Sequence, residues 1–269
     1  MKFLIISLVL SVLGFSFLYA QSTASKQISS MKFESAHLDS AKRVWIYTPK
    51  SYKSSEKRYP VIYMFDAQNL FDAKRSYAGE WEIDEYFDNL KNADKEVIVV
   101  GIEHGNEKRI EELTPYPHEK HGGGKGDDFM KFIVNDLKPK IDMKYRTLSD
   151  KTNTMLFGSS LGGLMSLYGT IKYPDVFSKA GVFSPAFWIN PEIYDLVEAS
   201  NGFENNTFYF MAGDSESEDM VTDMEKMIKL LHSEGLKSKQ IKSKVVKGGQ
   251  HNEQLWRENF PDAFEWLMN

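Results

Sequence analysis

The chain has 269 residues, no cysteine, a formal net charge of −5 and a 13% aromatic content. Without cysteine, disulfides are excluded as a source of stability, and the mild acidic balance argues against a dedicated nucleic-acid binder, which carries a basic excess. The length suits one large α/β domain, whose core is sufficient without crosslinks.

Lys2, an apolar run from Phe3 to Leu18 and the small residue Ala20 read as a secretory signal peptide over residues 1–20. The run is short for a membrane span, although an uncleaved anchor is the alternative. The absence of cysteine excludes a lipid anchor on that residue type. A periplasmic or secreted protein is expected, with no membrane association after cleavage. Residues 21–34 are polar and read as an N-terminal linker, which leaves 35–269 as the folded domain.

Arg43 to Thr48 alternates and predicts a strand ended by Pro49. Pro60 to Phe65 and Glu96 to Ile102 are continuous apolar runs and predict buried strands, with helical spacing from Ile83 to Leu90 between them. Residues 103–125 are irregular, with Pro115, Pro117 and three glycines from Gly122. A loop this long in a compact domain is often functional. A helix is expected over Asp127 to Leu137, a short strand over Thr154 to Phe157 and a helix over Leu161 to Ile171. Strands follow at Ala180 to Phe183 and Thr207 to Ala212. Met220, Met224, Met227, Ile228 and Leu231 share one face of a helix predicted from Asp219 to Ser233. A last strand, Ile241 to Val246, precedes a helix from Glu253 to Met268 that Pro261 should interrupt. Alternating strands and helices predict an α/β fold with a mostly parallel central sheet and helices on both faces. In such sheets, sites lie beyond the carboxyl ends of the strands.

Three strand ends carry suitable chemistry. Gly158-Ser159-Ser160-Leu161-Gly162 is the G-x-S-x-G pattern of a nucleophile elbow, a strand-to-helix turn too sharp for bulky neighbours. The second strand end offers Asp214, Glu216 and Glu218, and the third offers His251 after Gly248-Gly249. A serine hydroxyl needs an imidazole to take its proton, and the imidazole needs a carboxylate to fix its tautomer. The order Ser, acid, His is that of α/β-hydrolases. Ser160 and His251 are therefore the candidate nucleophile and base. Glu216 is the preferred acid, since its spacing from Gly213 lets the loop turn back over the sheet. Asp214 and Glu218 remain alternatives. Phe187 and Trp188 follow a strand end and are candidates to line the substrate pocket, with core packing as the other reading.

Other patterns carry less. His121-Gly122-Gly123-Gly124 looks like a lipase oxyanion sequence but stands in the wrong connection, so a Gly-rich loop is the better reading. His118, Glu119 and His121 lack a convincing further ligand, and no metal or other cofactor is expected. Gly124-Lys125-Gly126 is not a phosphate loop, because no Ser or Thr follows in frame.

The chain resembles the esterase D family of α/β-hydrolases, which includes enterobactin esterases, S-formylglutathione hydrolases and feruloyl and acetylxylan esterases. The resemblance rests on Asp66-Ala67-Gln68-Asn69-Leu70-Phe71-Asp72, Tyr145-Arg146-Thr147, Gly158 to Gly163, Phe183-Ser184-Pro185-Ala186-Phe187-Trp188 and His251-Asn252-Glu253. It implies an α/β-hydrolase fold and an exported serine esterase acting through an acyl-enzyme, with a siderophore ester or a carbohydrate-linked acyl ester as substrate. An acyltransferase of the same fold, or a catalytically silent binding module, is the alternative. It also implies oxyanion donors at the amides of Leu161 and Gln68, with Ala67 the alternative to Gln68. Each such amide typically contributes about 3 kcal/mol. Where the family usually has glycine, this chain has Ala67, which would strain the loop if a positive φ were needed there. Arg109 lies in a loop that the resemblance places beside the site, where it would hold an anionic or catechol-rich substrate or form a salt bridge. No nucleic-acid partner is expected, and the sequence does not report an oligomeric state.

Overall fold

The computed structural model describes residues 22–269. The expected signal peptide, residues 1–20, lies outside the described residues. In chain order the strands are β1 (Ile28–Phe33), β2 (Lys42–Tyr47), β3 (Val61–Phe65), β4 (Ile98–Ile102), β5 (Pro117–His118), β6 (Gly122–Gly123), β7 (Thr154–Ser159), β8 (Lys179–Phe183), β9 (Thr207–Gly213) and β10 (Ile241–Val246). The helices are α1 (Ile83–Asp88), α2 (Arg109–Glu112), α3 (Gly126–Lys131), α4 (Lys138–Lys144), α5 (Leu161–Lys172), α6 (Glu192–Ala199), α7 (Met220–Ser233) and α8 (Glu253–Leu267).

Eight strands form one sheet in the order β1-β2-β4-β3-β7-β8-β9-β10. The six from β4 to β10 run parallel, and β1 and β2 are antiparallel additions at one edge. The fold is therefore α/β with a mostly parallel sheet, as expected. Side chains alternate across it because successive Cβ atoms point to opposite faces. Along β7, Leu156 joins the core shared with α3, α5, α6 and α7, while Met155 and Phe157 join the core shared with α1 and α8. Helices cover both faces, so the central strands are apolar throughout, the pattern of a doubly covered parallel sheet.

Three expectations need correction. Residues 21–34 are not a loose linker: β1 pairs antiparallel with β2, with Ile28 opposite Tyr47 and Phe33 opposite Lys42. An edge strand with one fully buried side chain, Phe33, carries no strong apolar period. Hydrogen bonds hold the preceding residues instead. Ser25 N–H donates to Asp84 Oδ2 (2.6 Å), and Thr23 Oγ1 donates to the Glu80 carboxylate (3.0 Å). Burial pushes the Glu80 carboxyl up to about 7 and that of Asp84 up to about 8.

Pro261 does not interrupt the last helix; α8 runs through it. The buried face formed by Leu255, Trp256, Phe260, Phe264 and Leu267 outweighs the hydrogen bond that proline removes. Residues 103–125 are not wholly irregular either, since they contain α2 and a small hairpin of β5 and β6. The helix expected over Asp127 to Leu137 continues through a π-helical stretch, Phe132–Leu137, into α4.

Candidate active site

Four parallel neighbours deliver four side chains to one end of the sheet. Ser160 follows β7, Ser184 follows β8, Glu216 follows β9 and His251 follows β10. The registers align these ends: Ser159 pairs with Phe183, and Gly213 with Val246.

Ser160 occupies the turn from β7 to α5 at φ 56° and ψ −121°. Such a conformation is costly for a residue with a side chain and persists where the surroundings enforce it. Here Ser160 N–H donates to Phe183 O (3.0 Å), and Ser160 O accepts from Ala186 N (3.1 Å) and Leu164 N (3.0 Å). The flanking glycines are steric necessities. A Cβ on Gly158 would stand 2.7 Å from the carbonyl of Gly162, and one on Gly163 would stand 2.6 Å from Phe183 O.

His251 Nδ1–H donates to Glu216 Oε2 across 2.6 Å. The carboxylate can only accept, so the neutral ring carries its proton on Nδ1 and presents the Nε2 lone pair. The Glu216 side chain is 1% exposed. Its other oxygen, Oε1, accepts from Gly213 N (2.5 Å) and Ser184 Oγ (2.7 Å). Ser184 Oγ in turn accepts from Trp256 Nε1 (2.8 Å), and the Trp256 ring stands edge-on to His251 with centroids 5.0 Å apart. Three donors fix this buried carboxylate in orientation. Asp214 is engaged elsewhere: it is exposed, and its Oδ1 accepts from Gly248 N (2.6 Å). Glu218 is also exposed. Of the three acids, Glu216 meets the histidine.

Ser160 and His251 line the same two lobes of a cleft, together with Arg109. No direct hydrogen bond joins Ser160 Oγ to His251; such contacts often tighten only around a bound ester. The larger lobe, about 820 Å³, is walled by Asn69, Tyr77, Trp81, His104 and Glu253. Burial raises the Glu253 carboxyl above its usual range and lowers the imidazole of His104 below its own. The smaller lobe, about 440 Å³, is lined by Ile110, His121, Leu161, Trp188 and Met220.

Leu161 is the first residue of α5, so its N–H has no acceptor within the helix. Ala67 and Gln68 open a short 3-10 turn after β3. The left-handed residue of that turn is Asp66, at φ 56°, and Ala67 is not among the positive-φ residues. Alanine therefore carries no backbone penalty there, and the strain weighed for this position is absent. The Gln68 side chain braces the turn by donating to His104 O (2.9 Å).

Arg109 grips Asp66 with both prongs, Nε to Oδ1 (2.7 Å) and Nη2 to Oδ2 (2.9 Å). The salt bridge weighed for Arg109 is thus present. Trp188 is 55% exposed at the smaller lobe, whereas Phe187 is 1% exposed and packs in the core against Tyr194. Phe187 therefore does not line the pocket; the 3-10 turn Phe187–Ile189 points it inward. The His118 and His121 rings meet at a tilt with centroids 4.8 Å apart, and His121 packs edge-to-face with Trp188 at 5.5 Å. The roles of Ser184, Asp66 and Trp256 were not legible in the sequence; the signal available for Ser184 was its place after a strand end, before Pro185.

Residues 35–267 match the family described as Putative esterase. The chain belongs to that family. It is 26% identical over 247 residues to the uncharacterized protein YbbA of Bacillus subtilis, covering 87% of this chain and 95% of YbbA. It is 32% identical over 158 residues to the ferri-bacillibactin esterase BesA of the same organism, a match spanning 50% of each protein. The crystal structure of the BES protein from Bacillus cereus superposes with a TM-score of 0.72 at 20% identity, covering 92% of this chain and 97% of that one. This likeness shows the α/β-hydrolase fold, and membership of the esterase family supports a carboxylic ester hydrolase. Among the described residues, no helix is long and apolar enough to cross a membrane.

Proposed function

We propose that the chain is an exported serine esterase in which Ser160, His251 and Glu216 form the catalytic triad. The observation that carries this reading is the 2.6 Å bond from His251 to the buried Glu216, at the mouth of the cleft that holds Ser160. Ser160 Oγ attacks the ester carbonyl carbon while His251 Nε2 takes its proton. Glu216 stabilises the imidazolium that results. The amides of Leu161 and Gln68 stabilise the tetrahedral oxyanion. Collapse breaks the bond to the alkoxy oxygen, and His251 returns the proton to the departing alcohol. Water then attacks the acyl-enzyme with His251 as base, releasing the carboxylic acid and restoring Ser160. No cofactor takes part. Export rests on the pattern of residues 1–20.

For the substrate we favour a siderophore ester over a carbohydrate-linked acyl ester. The name of BesA supports this choice, as does a cleft whose larger lobe combines Asn69, His104 and Glu253 with Tyr77 and Trp81 and whose smaller lobe presents Trp188. Asn69, His104 and Glu253 suit a hydroxyl- and amide-rich alcohol part, and Trp188 offers a face for an aromatic ring.

A fluorophosphonate probe tests the mechanism: covalent capture at Ser160, lost in Ser160→Ala, is expected. No labelling of the wild-type protein would overturn the serine mechanism. A panel of a siderophore trilactone, a feruloyl sugar ester, an acetylated sugar and p-nitrophenyl acetate tests the substrate. The trilactone should show the highest kcat/KM; a tenfold preference for a sugar ester moves the assignment.

A further inference from the structure

Outside the cleft, the described residues contain one tight group of carboxylates. Glu80, Asp84 and Glu85 each bring an oxygen to within 4.8 Å of the others, around the start of α1. Asp84 is 0% exposed and Glu80 is 6% exposed. Asp84 Oδ2 takes the Ser25 N–H, but Asp84 Oδ1 is buried with no partner, and so is Glu85 Oε2. Among the described residues, no lysine, arginine or histidine nitrogen lies within 4.0 Å of any of the three carboxylates. Three buried carboxylates cannot all keep their charge without a cation: burial and the neighbouring Glu85 push Asp84 up to about 8, so a proton fills the gap until a cation displaces it.

We propose that Glu80, Asp84 and Glu85 bind one calcium ion, which ties the N-terminal segment to the wall of the active-site cleft. The donor atoms are all oxygens, the choice of a hard cation, and the cluster has neither the imidazole nor the thiolate that favours zinc. Oxygens on opposite sides of a calcium ion stand at most roughly 4.6–5.2 Å apart, twice the Ca–O distance, and three oxygens all within 4.8 Å of one another can share one ion. Thr23 Oγ1, already within 3.1 Å of both Glu80 oxygens, is a neutral ligand in reach. Water can complete the shell from the groove lined by Glu82, Glu85, Tyr86 and Asn89.

The position gives the ion a task. Thr23 Oγ1 also accepts from Ala73 N (2.8 Å), and Thr23 N donates to Asp72 Oδ1 (3.2 Å). Those contacts hold the start of the 72–82 connection, whose residues Tyr77, Ala78 and Trp81 line the larger lobe. A cation at Glu80, Asp84 and Glu85 fixes the other end. It therefore joins three chain segments: residues 22–25, the cleft wall and α1.

The test uses chelator-treated purified protein at pH 7.5, titrated with calcium chloride in a calorimeter, with magnesium chloride as a parallel arm. One calcium per chain is expected, with a Kd of about 0.1 mM, the order seen for extracellular sites. At a calcium concentration about a hundredfold above Kd, Tm should rise by about 5–10 °C over EDTA. Glu85→Gln, at a half-buried position, should weaken binding at least tenfold while leaving the fold intact. Asp84→Asn should abolish the calcium response and melt higher than wild type in EDTA, since its amide donates to Glu85 without a bound proton. No heat and no Tm shift, a magnesium effect equal to that of calcium, or wild-type binding by Glu85→Gln overturns the proposal. These readouts do not depend on ester hydrolysis, so the outcome is separate from that of the serine mechanism.

Discussion

Ser184 Oγ donates to Glu216 Oε1 across 2.7 Å, and its own lone pair is committed to Trp256 Nε1. The indole fixes the direction of the serine proton, so Ser184 can only be a donor toward Glu216. Ser184→Ala removes one donor from the buried Glu216 carboxylate and leaves the indole N–H unpaired. A hydrogen bond to a charged group contributes about 1.5–3 kcal/mol. On p-nitrophenyl acetate kcat should fall about ten- to hundredfold with KM little changed. Unaltered kcat would remove Ser184 from the positioning role.

Glu216 and Glu218 separate cleanly. Glu216→Gln keeps the shape but permits the wrong histidine tautomer and leaves the imidazolium unpaired. Steady-state kinetics should show kcat lower by about three to four orders of magnitude. Glu218 is exposed, so Glu218→Gln should stay within about twofold of wild type. The reverse ranking would move the acid to Glu218.

Arg109→Lys tests what the arginine does. Lysine keeps the charge but cannot grip both Asp66 oxygens, which leaves the left-handed Asp66 less firmly held ahead of Ala67 and Gln68. If Arg109 positions that turn, kcat falls about tenfold at constant KM. A rise in KM alone would show that Arg109 holds substrate instead.

Asp127 supplies a pH signature. Tyr168 (2.9 Å) and Tyr173 (3.2 Å) both donate to its Oδ1, and Lys131 lies 3.0 Å from Oδ2. Burial opposes the charge, yet Lys131 and the two tyrosines hold the carboxyl below its usual 3.8. A depressed carboxylate stabilises the fold above its unfolded pKa, and that contribution is lost as pH falls through the folded value. Asp127→Asn should therefore lower Tm at pH 7, and the deficit should shrink by pH 3. A deficit that is the same at both pH values would assign the loss to packing.

Much of this was legible in the sequence. The buried runs at Ile62, Val99 and Phe157 are continuous because their strands are covered on both faces, and such runs are visible without tertiary information. Ser160 and His251 could be found because the elbow demands glycines and because strand ends are marked by breakers. Edge strand β1 was hidden, since its stability lies in a ladder with β2 and in bonds to acids some 50 to 60 residues away. Phe187 and Trp188 are adjacent and chemically alike, and only the turn that contains them decides which faces the core. Pro261 misled because local propensity is weaker than a helix face that buries two phenylalanines and a tryptophan.

Ser160 is held at φ 56° and ψ −121°, backbone that glycine enters freely and other residues enter at a cost of about 1–3 kcal/mol. Ser160→Gly should therefore raise Tm while activity disappears. A higher Tm in that variant would mean that the hydroxyl is presented at the expense of the fold. In a lineage released from selection for ester cleavage, thermal stability alone would favour losing this serine to glycine. Threonine would be barred from the same position, because branching at Cβ makes that backbone harder still to adopt.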